Sequence, residues 1–106
     1  MKSNTVAIDM GSSNTGIYRV GMGIVLYEPS VVALERGGKK RVKEVGLEAK
    51  KLVGRASDST DVIWPVFESE IDDEEAAIAM TERFLNKITL SKLSARPEVV
   101  LSVPCG

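Results

Sequence analysis

The chain has 106 residues, 43% of them apolar and 27% charged, which suits one folded domain and excludes wholesale disorder. Fourteen basic and fifteen acidic side chains give a net charge of −1, so no overall positive field attracts nucleic acid. The lack of histidine and the single cysteine, Cys105, exclude a Ser-His-Asp triad, a histidine-ligated metal and an intrachain disulfide.

The N-terminal residues, Met-Lys-Ser-Asn-Thr, lead directly into an alternating apolar pattern. They lack the apolar run and cleavage site of a secretory signal, and no run in the sequence approaches the ~20 apolar residues of a membrane span. The lack of an intrachain disulfide agrees with the lack of a secretory signal, and we expect a cytoplasmic protein.

Five short strands are predicted in the first 45 residues, separated by turns that are polar or contain glycine. The first strand alternates apolar and polar positions, as a half-buried strand does. The third is apolar throughout, so we expect it to be covered on both faces. The predicted strands are residues 5–10, 15–20, 24–27, 31–34 and 41–45.

Two helices are predicted in the second half of the chain. A short one at about 47–53 is followed by a polar surface loop at 54–63. The stronger prediction is 73–88, where Asp72 and Glu75 have the spacing of a capping box. Apolar residues repeat there at helical spacing and indicate a stripe that faces the core. They are Ala77, Met80, Phe84, Leu85 and Ile88.

After this helix, a loop from Leu90 to Arg96 leads into a strand at 99–103 whose apolar residues are typical of the centre of a sheet. Strand runs followed by a helix and a strand predict an α+β or α/β fold with a mixed sheet. Because residues 104–106 directly follow such a strand, we expect the chain to be the front portion of a longer protein.

One turn has a chemical rationale, the segment 11–15 between the first two predicted strands. Its small hydroxyl and amide residues follow a carboxylate, Asp9, and Gly11 permits a tight turn. Successive backbone N–H groups around such a turn form a concave anion site suited to nucleotide phosphates. A carboxylate at the strand end can hold the water shell of Mg²⁺. The candidate phosphate contacts are Gly11, Ser12, Ser13, Asn14 and Thr15, and the candidate metal contact is Asp9.

A plain hairpin turn has the same composition, so the residues by themselves leave both interpretations open. The segment is neither a Walker loop nor a dinucleotide-binding fingerprint, and a predicted strand, not a helix, follows it.

Resemblance to known proteins favours the phosphate loop. Residues 9–15, Asp-Met-Gly-Ser-Ser-Asn-Thr, are similar to the first phosphate loop of the superfamily of actin, heat-shock chaperones and sugar kinases. Residues 21–34, 45–55 and 97–106 resemble the MreB family, the bacterial actins that determine rod shape. The loop departs from that family in having Ser12-Ser13 where Thr-Ala is usual.

This resemblance implies an actin-like ATPase fold of the ribonuclease H type, in which two domains close on ATP and Mg²⁺. The chain would supply part of the first domain, with residues 1–34 and 70–106 in a larger subdomain and 35–69 in a smaller one. The second phosphate hairpin and the acidic residue that positions water would lie beyond residue 106. We therefore expect the parent protein to hydrolyse ATP and this chain by itself to be inactive, with no catalytic residue of its own.

The resemblance also implies filaments of the protein itself on the inner face of the cytoplasmic membrane, in contact with proteins of cell-wall synthesis, and no nucleic-acid partner. Leu90 and Leu93 would touch the membrane, and the alternative that they pack under the end of the predicted helix stays open. Two alternatives stay open, a chaperone-type or other small actin-fold ATPase and a non-enzymatic adaptor. We expect Glu28 to face water at a strand end and Trp64 to anchor a small core.

Overall fold

The computed structural model describes residues 5–36, 41–55, 59–68, 70–92 and 98–102, with the backbone alone described for 89–92, 98 and 102. Within these ranges the chain forms nine strands and two helices. The strands are β1 (Thr5–Met10), β2 (Asn14–Arg19), β3 (Gly23–Pro29), β4 (Val32–Glu35), β5 (Arg41–Val45), β6 (Thr60–Ile63), β7 (Val66–Phe67), β8 (Glu70–Ile71) and β9 (Glu98–Ser102). The helices are α1 (Gly46–Lys50) and α2 (Glu74–Lys92).

The larger sheet has the order β3-β2-β1-β9. Strands β1, β2 and β3 form an antiparallel meander, and β9 pairs with β1 in parallel, so the sheet is mixed as predicted. The alternation expected for β1 is confirmed, because Val6, Ile8 and Met10 are buried while Ala7 and Asp9 are exposed. Asp9 therefore lies on the face of β1 opposite the core.

A second sheet has the order β5-β4-β6 and is antiparallel throughout. Strand β6 falls within the segment predicted as a surface loop, and that prediction is wrong. The polar residues Thr60 and Asp61 gave this segment the composition of a loop. Pairing with β4, with Val32 opposite Ile63, satisfies the backbone hydrogen-bonding groups of the strand. The small hairpin of β7 and β8 was also not predicted.

Helix α2 covers the larger sheet with its apolar stripe. Met80 and Phe84 are fully buried, and Ala77 and Ile88 are nearly so, which confirms the stripe read from the sequence. These side chains share one core cluster with residues of β1, β2 and β4. The core is therefore continuous across both sheets, and burial of the stripe stabilises their arrangement by the hydrophobic effect.

The ends of α2 differ from the prediction at both termini. Asp73, not Asp72, caps the helix, since its carboxylate accepts the Ala76 amide at 3.0 Å. The Asp72 amide instead donates a hydrogen bond to the Pro65 carbonyl at 2.8 Å, which holds Asp72 ahead of the helix. At the other end the helix continues to Lys92, so the first residues of the predicted loop are helical.

Helix α1 is shorter than predicted, and turns occupy residues 51–55. The prediction that β3 is covered on both faces is also wrong. Ile24 and Tyr27 of β3 are about 60% exposed (59% and 61%), and Val99, Val100 and Leu101 of β9 are 42–52% exposed. Both strands are edges of the sheet that the described residues form, so apolar composition alone did not reveal their position.

Strand β4 joins the second sheet from Val32, close to the predicted subdomain boundary at 34, and the division into subdomains stays a prediction. Among the described residues, no helix has both the length and the apolar content required to cross a membrane.

Candidate functional site

The candidate site is the turn that connects β1 to β2. The Gly11 amide donates to the Asn14 carbonyl at 2.9 Å and closes the turn. Ser12 and Ser13 lie at its tip and are exposed, while Asn14 is half-buried where β2 begins. The turn therefore presents two hydroxyl side chains and its tip to solvent, as an anion site requires.

Gly11 is required by a close approach within the turn. A Cβ atom at this position would lie 2.8 Å from the Asn14 carbonyl oxygen. Any larger residue would push the two sides of the turn apart and break the hydrogen bond that closes it. The sequence prediction that Gly11 permits a tight turn therefore has a specific steric cause.

Asp9 stands beside this turn on the exposed face of β1. Its backbone pairs with Gly16 of β2 on one side and with Ser102 of β9 on the other. The Tyr18 hydroxyl fills the space above Gly16, 3.1 Å from where a Cβ atom would lie, while Asp9 itself is exposed. The arrangement places one negative charge next to the candidate phosphate turn.

A buried hydroxyl network holds the turn from below. Thr15 Oγ1 and Ser30 Oγ are 2.7 Å apart, and Ser30 Oγ donates to the Gly11 carbonyl at 2.6 Å. The Ser30 amide donates to the Ser13 carbonyl at 2.9 Å. Both hydroxyl-bearing residues are fully buried. Ser30 thus connects the turn to the chain that follows β3 by two hydrogen bonds, one to Gly11 and one to Ser13.

This network corrects one sequence prediction and supplies a residue that it missed. Thr15 was expected to offer its hydroxyl to phosphate, but that hydroxyl is buried against Ser30 and supports the turn instead. Ser30 was not predicted to act here. The available signal was its polarity at the start of the apolar run 31–34, where a buried hydroxyl needs a partner.

An open depression of about 500 Å³ lies beside the tip of the turn. Its lining includes Ser12, Ser13, Trp64, Phe67 and Glu68. Trp64 is 42% exposed and does not anchor a core as predicted, since Pro65 and Val66 are buried in its place. The β7–β8 hairpin therefore brings aromatic side chains and a carboxylate next to the candidate phosphate contacts.

Glu28 does not face water as predicted. Its carboxylate accepts the Leu47 amide at 3.0 Å and pairs with Lys87 Nζ at 3.0 Å, and its side chain is only 19% exposed. Gly46, with φ of +63°, lies against the same carboxylate and against Phe84. Glu28 thus joins β3 to both helices, and this contact fixes the second sheet relative to the turn.

The two leucines predicted to touch a membrane are only partly covered by the structure. Leu90 belongs to α2, but its side chain lies outside the described residues, as does the whole of Leu93. The prediction for both residues stays untested.

The residues present fit a nucleotide with Mg²⁺ better than a metal held by protein alone. Among the described residues, no three or more acidic or cysteine side chains gather at one place. Asp9 is a single exposed carboxylate, and Mg²⁺ keeps several waters and binds through one or two carboxylates together with phosphate oxygens.

Comparison with known proteins agrees with the resemblance read from the sequence. A sequence model of the MreB/Mbl protein family matches residues 3–106. The cell shape-determining protein Mbl of Bacillus subtilis is 38% identical over 98% of this chain and 31% of its own length. The cell shape-determining protein MreB of Escherichia coli is also 38% identical, over 100% of this chain and 32% of its own length. The chain spans about a third of the length of these relatives.

Solved structures show the same fold. A crystal structure of MreB5 of Spiroplasma citri bound to AMPPNP superposes with a TM-score of 0.76 over 96% of this chain and 30% of that protein, at 24% identity. A second MreB5 structure, bound to ADP, gives a TM-score of 0.72 at 19% identity, over 93% of this chain and 37% of that one. The fold is the mixed α/β fold of actin-like proteins, and by its sequence the chain belongs to the MreB/Mbl family.

Proposed function

We propose that the protein carrying this chain binds ATP with Mg²⁺, polymerises into filaments and helps to determine cell shape. The observation that carries the nucleotide part is the turn after β1, which is closed by its own hydrogen bond, locked by Ser30 and flanked by the exposed Asp9. Family membership supports the cell-shape part, since the matched relatives are named for that role.

At such a site the chain's own residues would bind and orient the nucleotide. Backbone amides at the tip of the turn and the hydroxyls of Ser12 and Ser13 would donate to phosphate oxygens. Asp9 would accept hydrogen bonds from water molecules around Mg²⁺. When bound, ATP would supply the phosphoryl group, and Mg²⁺ would supply positive charge that offsets the negative charge of the phosphate oxygens. Hydrolysis also needs a group that positions the attacking water, and we expect residues beyond this chain to supply it.

The turn is preorganised for this role. Because Ser30 and the Gly11–Asn14 bond already fix its backbone, binding would cost little additional ordering of the loop. The exposed hydroxyls of Ser12 and Ser13 would then form directional hydrogen bonds to phosphate, and no hydrogen bond seen in the described structure would have to break first. The same preorganisation argues against an incidental hairpin, which needs no buried hydroxyl network beneath it.

Replacing Asp9 tests the nucleotide part. We expect Asp9→Asn in the gene product that carries this chain to lower Mg²⁺-dependent ATP hydrolysis by about a hundredfold or more, because it removes a charge-assisted contact that the reaction requires. Asp72→Asn is the matched control, since Asp72 is equally exposed and lies outside the turn. Phosphate release is the measurement. Equal turnover of wild type and Asp9→Asn would exclude this role of Asp9, whereas a wild type without any turnover would favour a non-enzymatic adaptor.

The remaining parts of the proposal concern partners and location. We propose cytoplasmic filaments of the protein itself, held peripherally at the membrane through Leu90 and Leu93 and in contact with cell-wall synthesis proteins. Family membership supports self-association, and two leucines close in sequence to the cations Lys92 and Arg96 suit a weak membrane contact. A filament repeats such a contact many times, so a weak interaction per copy suffices.

A further inference from the structure

The tip of the β2–β3 hairpin presents an apolar surface that the functions above do not use. Val20, Met22 and Ile24 are 41%, 53% and 59% exposed, and two glycines separate them in the turn. Both glycines have positive φ, 84° for Gly21 and 79° for Gly23, so the backbone folds back sharply and the side chains project outward. We call Arg19, Val20, Met22 and Ile24 the tip patch.

The pairing of strands locates this patch in the sheet. The Val20 amide donates to the Thr5 carbonyl at 3.1 Å, so the tip lies where β1 begins. Thr5 also pairs with Glu98, so β9 begins at the same end. The candidate phosphate turn lies at the opposite end of β1, about 16 Å away at about 3.3 Å per residue. A surface that binds the tip patch would therefore leave the nucleotide site free.

The segments that lead to this end of the sheet carry cations in the sequence, although the chain as a whole has a net charge of −1 and Glu98 of β9 lies at the same end. Residues 10–27 contain Arg19 and no acidic residue, and residues 89–97 contain Lys92 and Arg96 and no acidic residue before Glu98. Helix α2 ends at Lys92, only six residues before β9 begins. Arg19 Nη1 lies 3.2 Å from Met22 Sδ, so a guanidinium belongs to the patch itself.

We infer that the tip patch inserts into the surface of an anionic lipid bilayer. The patch is convex and has three apolar side chains, far fewer than the roughly 20 residues a side of a stable protein interface. A bilayer requires no complementary shape, and it accepts apolar side chains next to cations that meet anionic headgroups. This inference extends the membrane part of the proposed function by a second contact, at the same end of the sheet as the chain before β9.

Vesicle flotation of the gene product that carries this chain tests the inference. The tip variant is Met22→Ser/Ile24→Ser, and its control is Leu47→Ser/Val53→Ser, which replaces two side chains that are 48% and 49% exposed. On phosphatidylcholine vesicles containing phosphatidylglycerol, we expect the tip variant to partition about tenfold less than wild type and the control to change by less than about twofold. Equal partitioning of the tip variant and wild type would overturn the inference.

Two further measurements separate this result from other causes. Light scattering without lipid measures polymerisation, and its loss in the tip variant would overturn the inference in favour of an interface between copies. Met22→Trp, compared with Leu47→Trp, reports insertion directly, because tryptophan emission shifts to shorter wavelength in an apolar environment. We expect this shift only for Met22→Trp, and its absence would contradict insertion even if a serine variant folds poorly.

The same assay on Leu90→Ser/Leu93→Ser tests the membrane contact of the proposed function separately. If that variant floats normally and the tip variant does not, the proposed leucine contact fails while the tip patch stands. The reverse result removes the tip patch and leaves the leucines.

Discussion

Ser30 illustrates how a single buried residue can determine the shape of the candidate phosphate turn. Its hydroxyl is shared between Thr15 Oγ1 and the Gly11 carbonyl, and all of its side chain is buried. Removing it leaves two buried polar groups without this partner, which costs more than the bond itself contributes.

We expect Ser30→Ala to lower the free energy of unfolding by about 1–3 kcal/mol, and Thr15→Val by a similar amount. The double variant should lose less unfolding free energy than the two single variants together, because each single variant already breaks the hydrogen bond between Thr15 and Ser30. Urea denaturation measures the three values. Strict additivity would contradict the 2.7 Å contact between these hydroxyls.

At the level of the elements, Glu28 connects β3, α1 and α2 through one carboxylate. Its ion pair with Lys87 is partly shielded, since the two side chains are 19% and 44% exposed. Its bond to the Leu47 amide satisfies a donor at the start of α1 that helix geometry leaves free. The contact explains why a glycine follows β5, since Gly46 lies against this carboxylate with positive φ.

Two substitutions separate the charge of Glu28 from its hydrogen bonding. We expect Glu28→Gln, which keeps an acceptor, to reduce the unfolding free energy by up to about 1 kcal/mol, and Glu28→Ala by about 2 kcal/mol. The exposed pair of Glu48 and Lys51 provides the control, and Glu48→Gln should change stability by less than about 0.5 kcal/mol. Equal costs for Gln and Ala at position 28, measured in urea, would show that the Leu47 bond contributes nothing.

A second ion pair joins the end of β4 to β6 and makes a prediction about pH. The Arg36 guanidinium donates to the Asp61 carboxylate at 2.7 Å and lowers the pKa of Asp61 from its ordinary value of 3.8. Because the folded pKa is the lower one, the stabilisation is present above pH 3.8 and is lost as the pH falls through the folded pKa. Both side chains are about half exposed (56% and 47%), so the effect is small and weakens with salt.

Thermal unfolding of Asp61→Asn against wild type checks this sign. We expect wild type to be slightly more stable at neutral pH and the difference to shrink below pH 3.8. A difference that stays constant into acid would show that the carboxylate's charge is not its source.

For the whole molecule, the continuous core and the candidate phosphate turn lead to different expectations. The core cluster joins both sheets and α2, which supports folding of the described part as one unit. The turn, by contrast, offers one set of donors to a ligand as large as ATP.

We therefore expect the 106-residue chain by itself to bind MgATP no tighter than the millimolar range, because most of the nucleotide would stay in water. Isothermal calorimetry measures the Kd directly. A micromolar Kd would show that the turn, Asp9 and the neighbouring depression form a sufficient site, and that no second phosphate hairpin is needed for affinity.

The sequence by itself determined the elements with strong local signals. The alternation in β1, the glycine-bounded meander and the stripe of α2 follow from side-chain periodicity, and the stretches 21–34, 45–55 and 97–106 indicated the family that the comparisons show. These features depend on residues close in the chain, so local patterns suffice to predict them.

Only the tertiary structure decided that Thr60–Ile63 is a strand, and that Ser30 and Glu28 are partners of distant residues. Each of these depends on pairing between positions far apart in the chain. Thr15 and Ser30 are 15 residues apart, and Glu28 and Lys87 are 59 apart. A hydroxyl or carboxylate has the same local signature whether it faces water or a buried partner, and only the fold brings that partner within hydrogen-bond distance.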